Sequence, residues 1–172
     1  MGGNSRLNRT FFMADVLSVA PLLPGKYLCL TNSDGKTGKH IITEAEAYRG
    51  EEDMACHARR GRTKRTDVMY RGGGYVYMYL IYGIHWMLNI VTGREGDPQA
   101  ALIRGIKGYD GPGKLTRHLG IDGSYYGEDL TQGDKIWIED SGRQLITGKG
   151  KRIGIDYAGE YWRDIEWRFY LK

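Results

Sequence analysis

Tyr75-Val76-Tyr77-Met78-Tyr79-Leu80-Ile81-Tyr82-Gly83-Ile84-His85-Trp86 is a run of aromatic and β-branched residues with one glycine inside it. Tyr75, Tyr77 and Tyr79 alternate, so a strand places them on one face. Tyr82-Gly83 stands where a hairpin should turn, because glycine supplies a positive φ without steric cost. The stretch therefore predicts antiparallel strands over Tyr75–Leu80 and Ile84–Thr92. Upstream, Lys26–Thr31 and Lys39–Tyr48 read as a second pair joined by the Asn32-Ser33-Asp34-Gly35 turn. Downstream, Ala100–Ile106 is an apolar strand, and Lys135–Glu139 and Trp167–Leu171 are late strands. Phe12, Val16, Val19 and Leu23 recur at helical spacing, which predicts a helix over Phe11–Leu23 ended by Pro24-Gly25. Gly113–Leu119 is a short helix, and His57–Arg71 is a polar, strongly basic loop. The reading is α+β: a mixed, mainly antiparallel sheet with a few helices.

The 172 residues suffice for one domain and show neither an internal repeat nor a dividing linker. Residues 11–172 are expected to form it, behind a flexible N-terminal segment over residues 1–10. With 41% hydrophobic and 27% charged residues and only 4 prolines, the chain is neither disordered nor low-complexity. Twenty-five basic against 21 acidic side chains give +4, weak support for a polyanionic partner. Cys29 and Cys56 form no disulfide framework and lack metal-ligand spacing, so a reducing compartment and no metal are expected. Residues 1–10 are polar, without the apolar stretch of a signal peptide, and Arg6 breaks the myristoylation pattern. The longest apolar run, Ala14–Leu23, is interrupted by Asp15, Ser18 and Pro21, so no membrane span and an intracellular protein are expected.

Three segments carry chemistry. On a strand over Ile42–Tyr48, Glu44, Glu46 and Tyr48 share one face, and Ile41, Thr43, Ala45 and Ala47 take the other. From spacing alone a solvent-facing sheet surface is the commoner outcome. The functional reading is a carboxylate beside a stacking platform, as base-processing chemistry needs. The basic loop sets Arg59, Arg60, Arg62, Lys64, Arg65 and Arg71 against the single acid Asp67. Charge runs are usually solvated, yet six like charges in one loop need an offset, and phosphate supplies it. A tyrosine stripe is usually half-buried packing. Tyr82 differs, because a hairpin tip buries little, and a ring displayed beside a basic loop suits wedging between base pairs.

Glu44-Ala45-Glu46-Ala47-Tyr48, His57, Tyr77 to Gly83, Asn89, Leu102-Ile103-Arg104, Gly111 to Leu115, and Arg152-Ile153-Gly154-Ile155 followed by Ala158-Gly159-Glu160 occur in that order. Together they resemble the alkyladenine (3-methyladenine) DNA glycosylases over about Phe11 to Leu171. The resemblance implies one mixed domain on a curved antiparallel sheet with a protruding hairpin and surrounding helices. It implies that Glu46 is the general base for the attacking water and that Arg104 helps hold that water. Tyr48, His57 and Tyr79 would line the pocket of a flipped base, and Asn89 would crowd the 2-amino group of guanine. Tyr82 would fill the gap left in the duplex. Lys114 and Arg117 would contact the DNA backbone, in addition to Arg59, Arg62 and Arg65, which the charge of the basic loop already points to phosphate.

The implied partner is double-stranded DNA bearing a damaged purine: 3-methyladenine, 7-methylguanine, hypoxanthine or ethenoadenine. A lesion that charges the ring is already a better leaving group, whereas neutral hypoxanthine needs protonation. No cofactor is implied, a monomer is expected, and no lysine stands beside Glu46 to form a Schiff base, which predicts a monofunctional enzyme. Lys64 and Thr66 stand where Pro and Asn are common, Tyr157 replaces a common His, and only Gly105–Asp110 bridge Arg104 to Gly111 where many relatives insert a helix. A non-catalytic lesion binder on the same fold is the runner-up, and a metal-dependent nuclease using Glu44 and Glu46 is weaker.

Overall fold

The computed structural model describes residues 5–143 and 145–172. Its spine is β2 (Thr37–Arg49), a 13-residue strand that changes partners half-way. The first half pairs with β1 (Tyr27–Thr31), in register from Thr31 opposite Thr37 to Tyr27 opposite Ile41. The second half pairs with β9 (Arg168–Leu171) through Glu44–Glu46, while β5 (Gln99–Ile106) runs along the other edge. The sheet order is β3-β4-β5-β2-β1-β7, with β3 over Val76–Ile81, β4 over His85–Thr92 and β7 over Ile136–Glu139. β6 (Tyr109–Asp110) adds to β5, and β8 (Thr147–Gly150) adds to β9. Every pairing is antiparallel, and the sheet curls into a half-barrel within one α+β domain.

Where β2 changes partners its register slips on both sides of Glu44. The bulge revises the expected faces: Ile42 is buried with Ala45 and Ala47, whereas Ile41 and Thr43 are only half-buried. A bulge inserts one residue and turns the strand, so the period of two is broken locally. Gly105 permits it, because a Cβ there would lie 2.7 Å from Thr43 Oγ1.

The helix expected over Phe11–Leu23 is two short ones, α1 (Arg9–Phe12) and α2 (Val16–Val19), the second running on into a 3-10 turn. Asp15 breaks it by accepting the Leu17 amide at 2.9 Å, the usual competition between a short acidic side chain and the helix ladder. Phe12, Val16, Val19 and Leu23 are nonetheless all buried, as their spacing demanded. The expected free segment over residues 1–10 is also attached from Ser5 onward. Leu7 is buried, its amide donates to Ile138 O at 2.8 Å, and Arg6 donates to Leu130 O at 2.8 Å; residues 1–4 lie outside the described residues. The short Arg104–Gly111 bridge is a tight β5–β6 hairpin turned by Lys107-Gly108, with Gly108 at φ +91. It leads directly into α3 (Pro112–Leu119), which opens on a proline and closes on left-handed Gly120. The last helix, α4, spans Glu160–Asp164.

Candidate active site

A cleft of about 800 Å³ opens between the inner face of the β3–β4 hairpin, the segment after Cys56 and the turn at 153–157. Tyr48, His57, Tyr79, Asn89 and Arg104 line it, as do Arg59, Arg65 and Tyr82. With β2 and β5, these segments bring together residues as far apart in sequence as Tyr48 and Tyr157. Arg62, Lys114 and Arg117 are not in the wall of this cleft.

Glu46 lies one layer beneath the floor and is fully buried. The Ile153 amide donates to its Oε1 at 2.8 Å, and the Tyr48 hydroxyl donates to its Oε2 at 2.7 Å. Arg104 Nε is 3.5 Å from Glu46 Oε1 and 3.6 Å from Glu44 Oε1. The three residues around this carboxylate, Tyr48, Arg104 and Ile153, all line the cleft. Burial raises the Glu46 pKa; Arg104, the Ile153 amide and the Tyr48 hydroxyl oppose the shift without cancelling it. Arg104 Nε is itself buried and makes no hydrogen bond among the described residues, so a donor stands unspent beside the acid. Glu44 differs: Arg168 holds its Oε1 at 2.8 Å, and it is partly exposed. The two acids share the Arg104 guanidinium, and Glu44 is held by Arg168 as well, so they do not form a free carboxylate pair.

Aromatic rings form the walls. The His57 and Tyr79 rings meet edge-on at 4.5 Å between centroids, and Tyr77 and Tyr79 lie 5.6 Å apart. His57 Nδ1 and the Tyr77 hydroxyl are 2.9 Å apart. Burial, then the charges of Arg65, Arg59 and Arg60, push the His57 pKa down to about 4, so its ring is neutral at neutral pH. Asn89 is pinned by donating to Tyr77 O at 3.3 Å and Met87 O at 3.2 Å. Burial holds the Cys56 thiol at about 12, which keeps this cleft residue protonated and inert.

At the rim, Tyr82 is 89% exposed at φ +53, the one non-glycine residue with positive φ among those described. A bulky side chain rarely occupies this region, and Gly83 follows it at φ +69. Leu80 and Ile84 beside it are exposed too.

The basic segment is less of a loop than expected. Two 3-10 turns, His57–Arg60 and Asp67–Arg71, bury Ala58, Val68, Met69 and Tyr70. Its charges divide into two sets. Arg62 and Arg71 both hold Asp67, at 2.8 and 2.9 Å. Arg59 lies over the Tyr157 ring and donates to Met54 O, and Arg65 lies over Tyr79. Lys114 and Arg117 are exposed on α3.

Sequence reasoning passed over several contributors. The Ile153 amide is a backbone donor and leaves no residue-type signal. Asp53 and Arg152 form a fully buried pair at 2.6 Å; Arg152 stood within a recognised element, but Asp53 followed two exposed acids and was indistinguishable from them.

Comparison with known proteins gives the class of enzyme to which this fold and cleft belong. The family model described as methylpurine-DNA glycosylase (MPG) matches residues 10–109 and 107–172, two pieces that meet at the Lys107-Gly108 turn. The chain belongs to this family of DNA glycosylases, hydrolases of base-excision repair. Relatives named "Putative 3-methyladenine DNA glycosylase" include those of Rickettsia felis, 46% identical over 95% of this chain and 91% of the relative, and Psychrobacter cryohalolentis, 44% identical over 91% and 88%. A third, from Desulfitobacterium hafniense, is 42% identical over 97% of this chain and 95% of its own length. Among the described residues no helix is long and apolar enough to cross a membrane.

Proposed function

We propose that the protein extrudes an alkylated or deaminated purine from duplex DNA and hydrolyses its glycosidic bond with a water activated by Glu46, leaving an uncleaved abasic site. The observation that carries this reading is the Glu46 carboxylate, buried below an aromatic cleft, with the unspent Arg104 Nε–H 3.5 Å from it. A water held against this pair from the cleft side would donate to Glu46 and accept from Arg104, with its second lone pair free to attack C1′ of the sugar. The negative charge on Glu46 would also favour the developing oxocarbenium ion.

Extrusion costs a few kcal/mol, least for a base that pairs badly, and stacking on aromatic rings returns roughly 1–3 kcal/mol per base. Tyr48, His57 and Tyr79 would supply those faces. Neutral His57 adds no charge to repel a cationic alkylated ring. Tyr82 would occupy the gap in the stack, and Arg59, Arg60 and Arg65, which line the cleft and have no acidic partner among the described residues, would meet the flanking phosphates. Asn89, fixed by two backbone carbonyls, would reject the 2-amino group of guanine by crowding it.

The test is single-turnover release of hypoxanthine from a labelled duplex, in chelator, by wild type and Glu46→Gln. A general base contributes on the order of 10²–10⁴ in rate, so the variant should lose at least that much while still binding the lesion. The raised Glu46 pKa sets the acid limb of the wild-type profile: the protonated acid is inactive, so the rate should begin to fall above the ordinary carboxylate range. Tight lesion binding without product from either protein would instead identify a non-catalytic binder. A chelator-sensitive strand break would identify a nuclease.

A further inference from the structure

We propose that the buried Arg152–Asp53 pair is a positioning device for excision, holding the Ile153 amide and the Tyr48 hydroxyl on the two oxygens of Glu46. The proposal rests on the reading of Glu46 as the base.

Both side chains are completely buried, and the guanidinium meets the carboxylate through two parallel bonds, Nη1 to Oδ2 at 2.6 Å and Nη2 to Oδ1 at 3.0 Å. Stability alone gives little reason for such a pair, because well-packed apolar residues do as well or better. Its remaining bonds indicate what it holds. Nη1 also donates to Ala47 O at 3.0 Å, the carbonyl between Glu46 and Tyr48, and Nη2 donates to Trp162 O at 3.2 Å. The guanidinium plane lies against two rings, 4.9 Å from the Tyr48 centroid and 5.0 Å from that of Trp167. Asp53 in turn accepts the Arg49 amide at 3.0 Å and the Ala55 amide at 2.9 Å.

Four pieces of backbone thus converge on one ion pair: the end of β2, the turn at 53–55 that leads into His57, the segment after β8, and α4. Two of them carry the groups that touch Glu46. Ile153 follows Arg152 directly in the chain, and Tyr48 is the ring on which the guanidinium rests. Arginine suits this place because its donors are fixed in one plane, so the angles between the carboxylate and the two carbonyls are fixed with them. A lysine is a point charge on a flexible stem and cannot impose that geometry. The pair touches neither a reacting atom nor the cleft and acts only through the neighbours of Glu46.

Combining Arg152→Met with Asp53→Asn removes both charges, so no lone ion is stranded in the core. The variant is checked by thermal unfolding, then compared with wild type, Arg152→Lys and Glu46→Gln in single-turnover excision of hypoxanthine over a series of pH values. A misplacement remote from the chemistry can lower a rate by about 100-fold. The expected result is a loss of that size in the folded double variant, with lesion-duplex affinity changed less than the rate. The acid limb should move to higher pH, because Glu46 loses donors to its ionised form. Arg152→Lys should move the limb the same way by less, and it decides the matter if the double variant does not fold.

A wild-type rate and limb in the folded variant overturn the proposal. So does a rate loss that matches the loss of folded protein with the limb unmoved, or a wild-type limb in Arg152→Lys. Excision by Glu46→Gln at the wild-type rate would overturn the underlying reading instead. An inactive Glu46→Gln beside an unaffected double variant would remove the positioning role alone.

Discussion

Tyr48 and Tyr82 show two uses of one residue type. At the floor of the cleft, Tyr48 spends its hydroxyl on Glu46 and lays its ring against Arg152, so internal contacts hold it in place. At the tip of the hairpin, Tyr82 is 89% exposed at a positive φ, flanked by exposed Leu80 and Ile84. The floor is held by internal bonds, which fix the Glu46 carboxylate and the Tyr48 ring in place. The tip has no internal partner to repay its backbone strain, which points to an external one.

The contrast breaks most readily in stability. Asp53→Ala strands the Arg152 cation in the core and should lower unfolding free energy by about 3–5 kcal/mol, read from urea denaturation. Tyr82→Ala should change it by no more than roughly 0.5 kcal/mol, as for other surface sites. Comparable losses at both positions would mean that the tip is as internally supported as the floor. In binding the order reverses. Tyr82→Ala should weaken capture of a lesion duplex by about 1–3 kcal/mol, and capture of undamaged DNA by less. Equal weakening on both would argue against a wedge.

A smaller effect sharpens the same point with the opposite sign. Tyr82→Gly relieves a left-handed conformation that costs roughly 1–2 kcal/mol, offset by about 0.5–1 kcal/mol of unfolded-chain entropy. A net stabilisation below about 1 kcal/mol is expected, together with the same loss of lesion binding. The smallest expected change separates the arginines. Arg65→Gln should lower the slope of log affinity against log salt by about 0.9, and Arg62→Gln should lower it by less, because the Asp67 it shares with Arg71 partly offsets the Arg62 charge. Equal slopes would mean that Asp67 releases Arg62 to the DNA.

Strands were legible wherever side chains alternate between a buried and a wet face. β3 and β4 fall within one or two residues of the spans expected from the tyrosine stripe, and the short β5–β6 connection was visible as a missing insertion. The helix over Phe11–Leu23 was misread because periodicity reports which face is buried, not whether the backbone stays helical through Asp15. The basic loop was misread because charge drew attention from Val68, Met69 and Tyr70, which anchor it in the core. Glu46, Tyr48, His57, Tyr79, Asn89 and Arg104 could be nominated together only through the resemblance; spacing alone left Glu46 on an ordinary polar face.

By itself the sequence determined the class of fold, the hairpin with Tyr82 at its turn and the family to which the chain belongs, since periodicity, turn chemistry and motif order are local or linear properties. Tertiary structure alone decided that Glu46 is buried and Glu44 is not, although they are two residues apart on one strand. It also decided that Asp67 pairs with Arg62 and that a backbone amide from residue 153 meets the acid at residue 46. Desolvation and hydrogen bonding depend on which distant segments close over a side chain, and no local pattern encodes that.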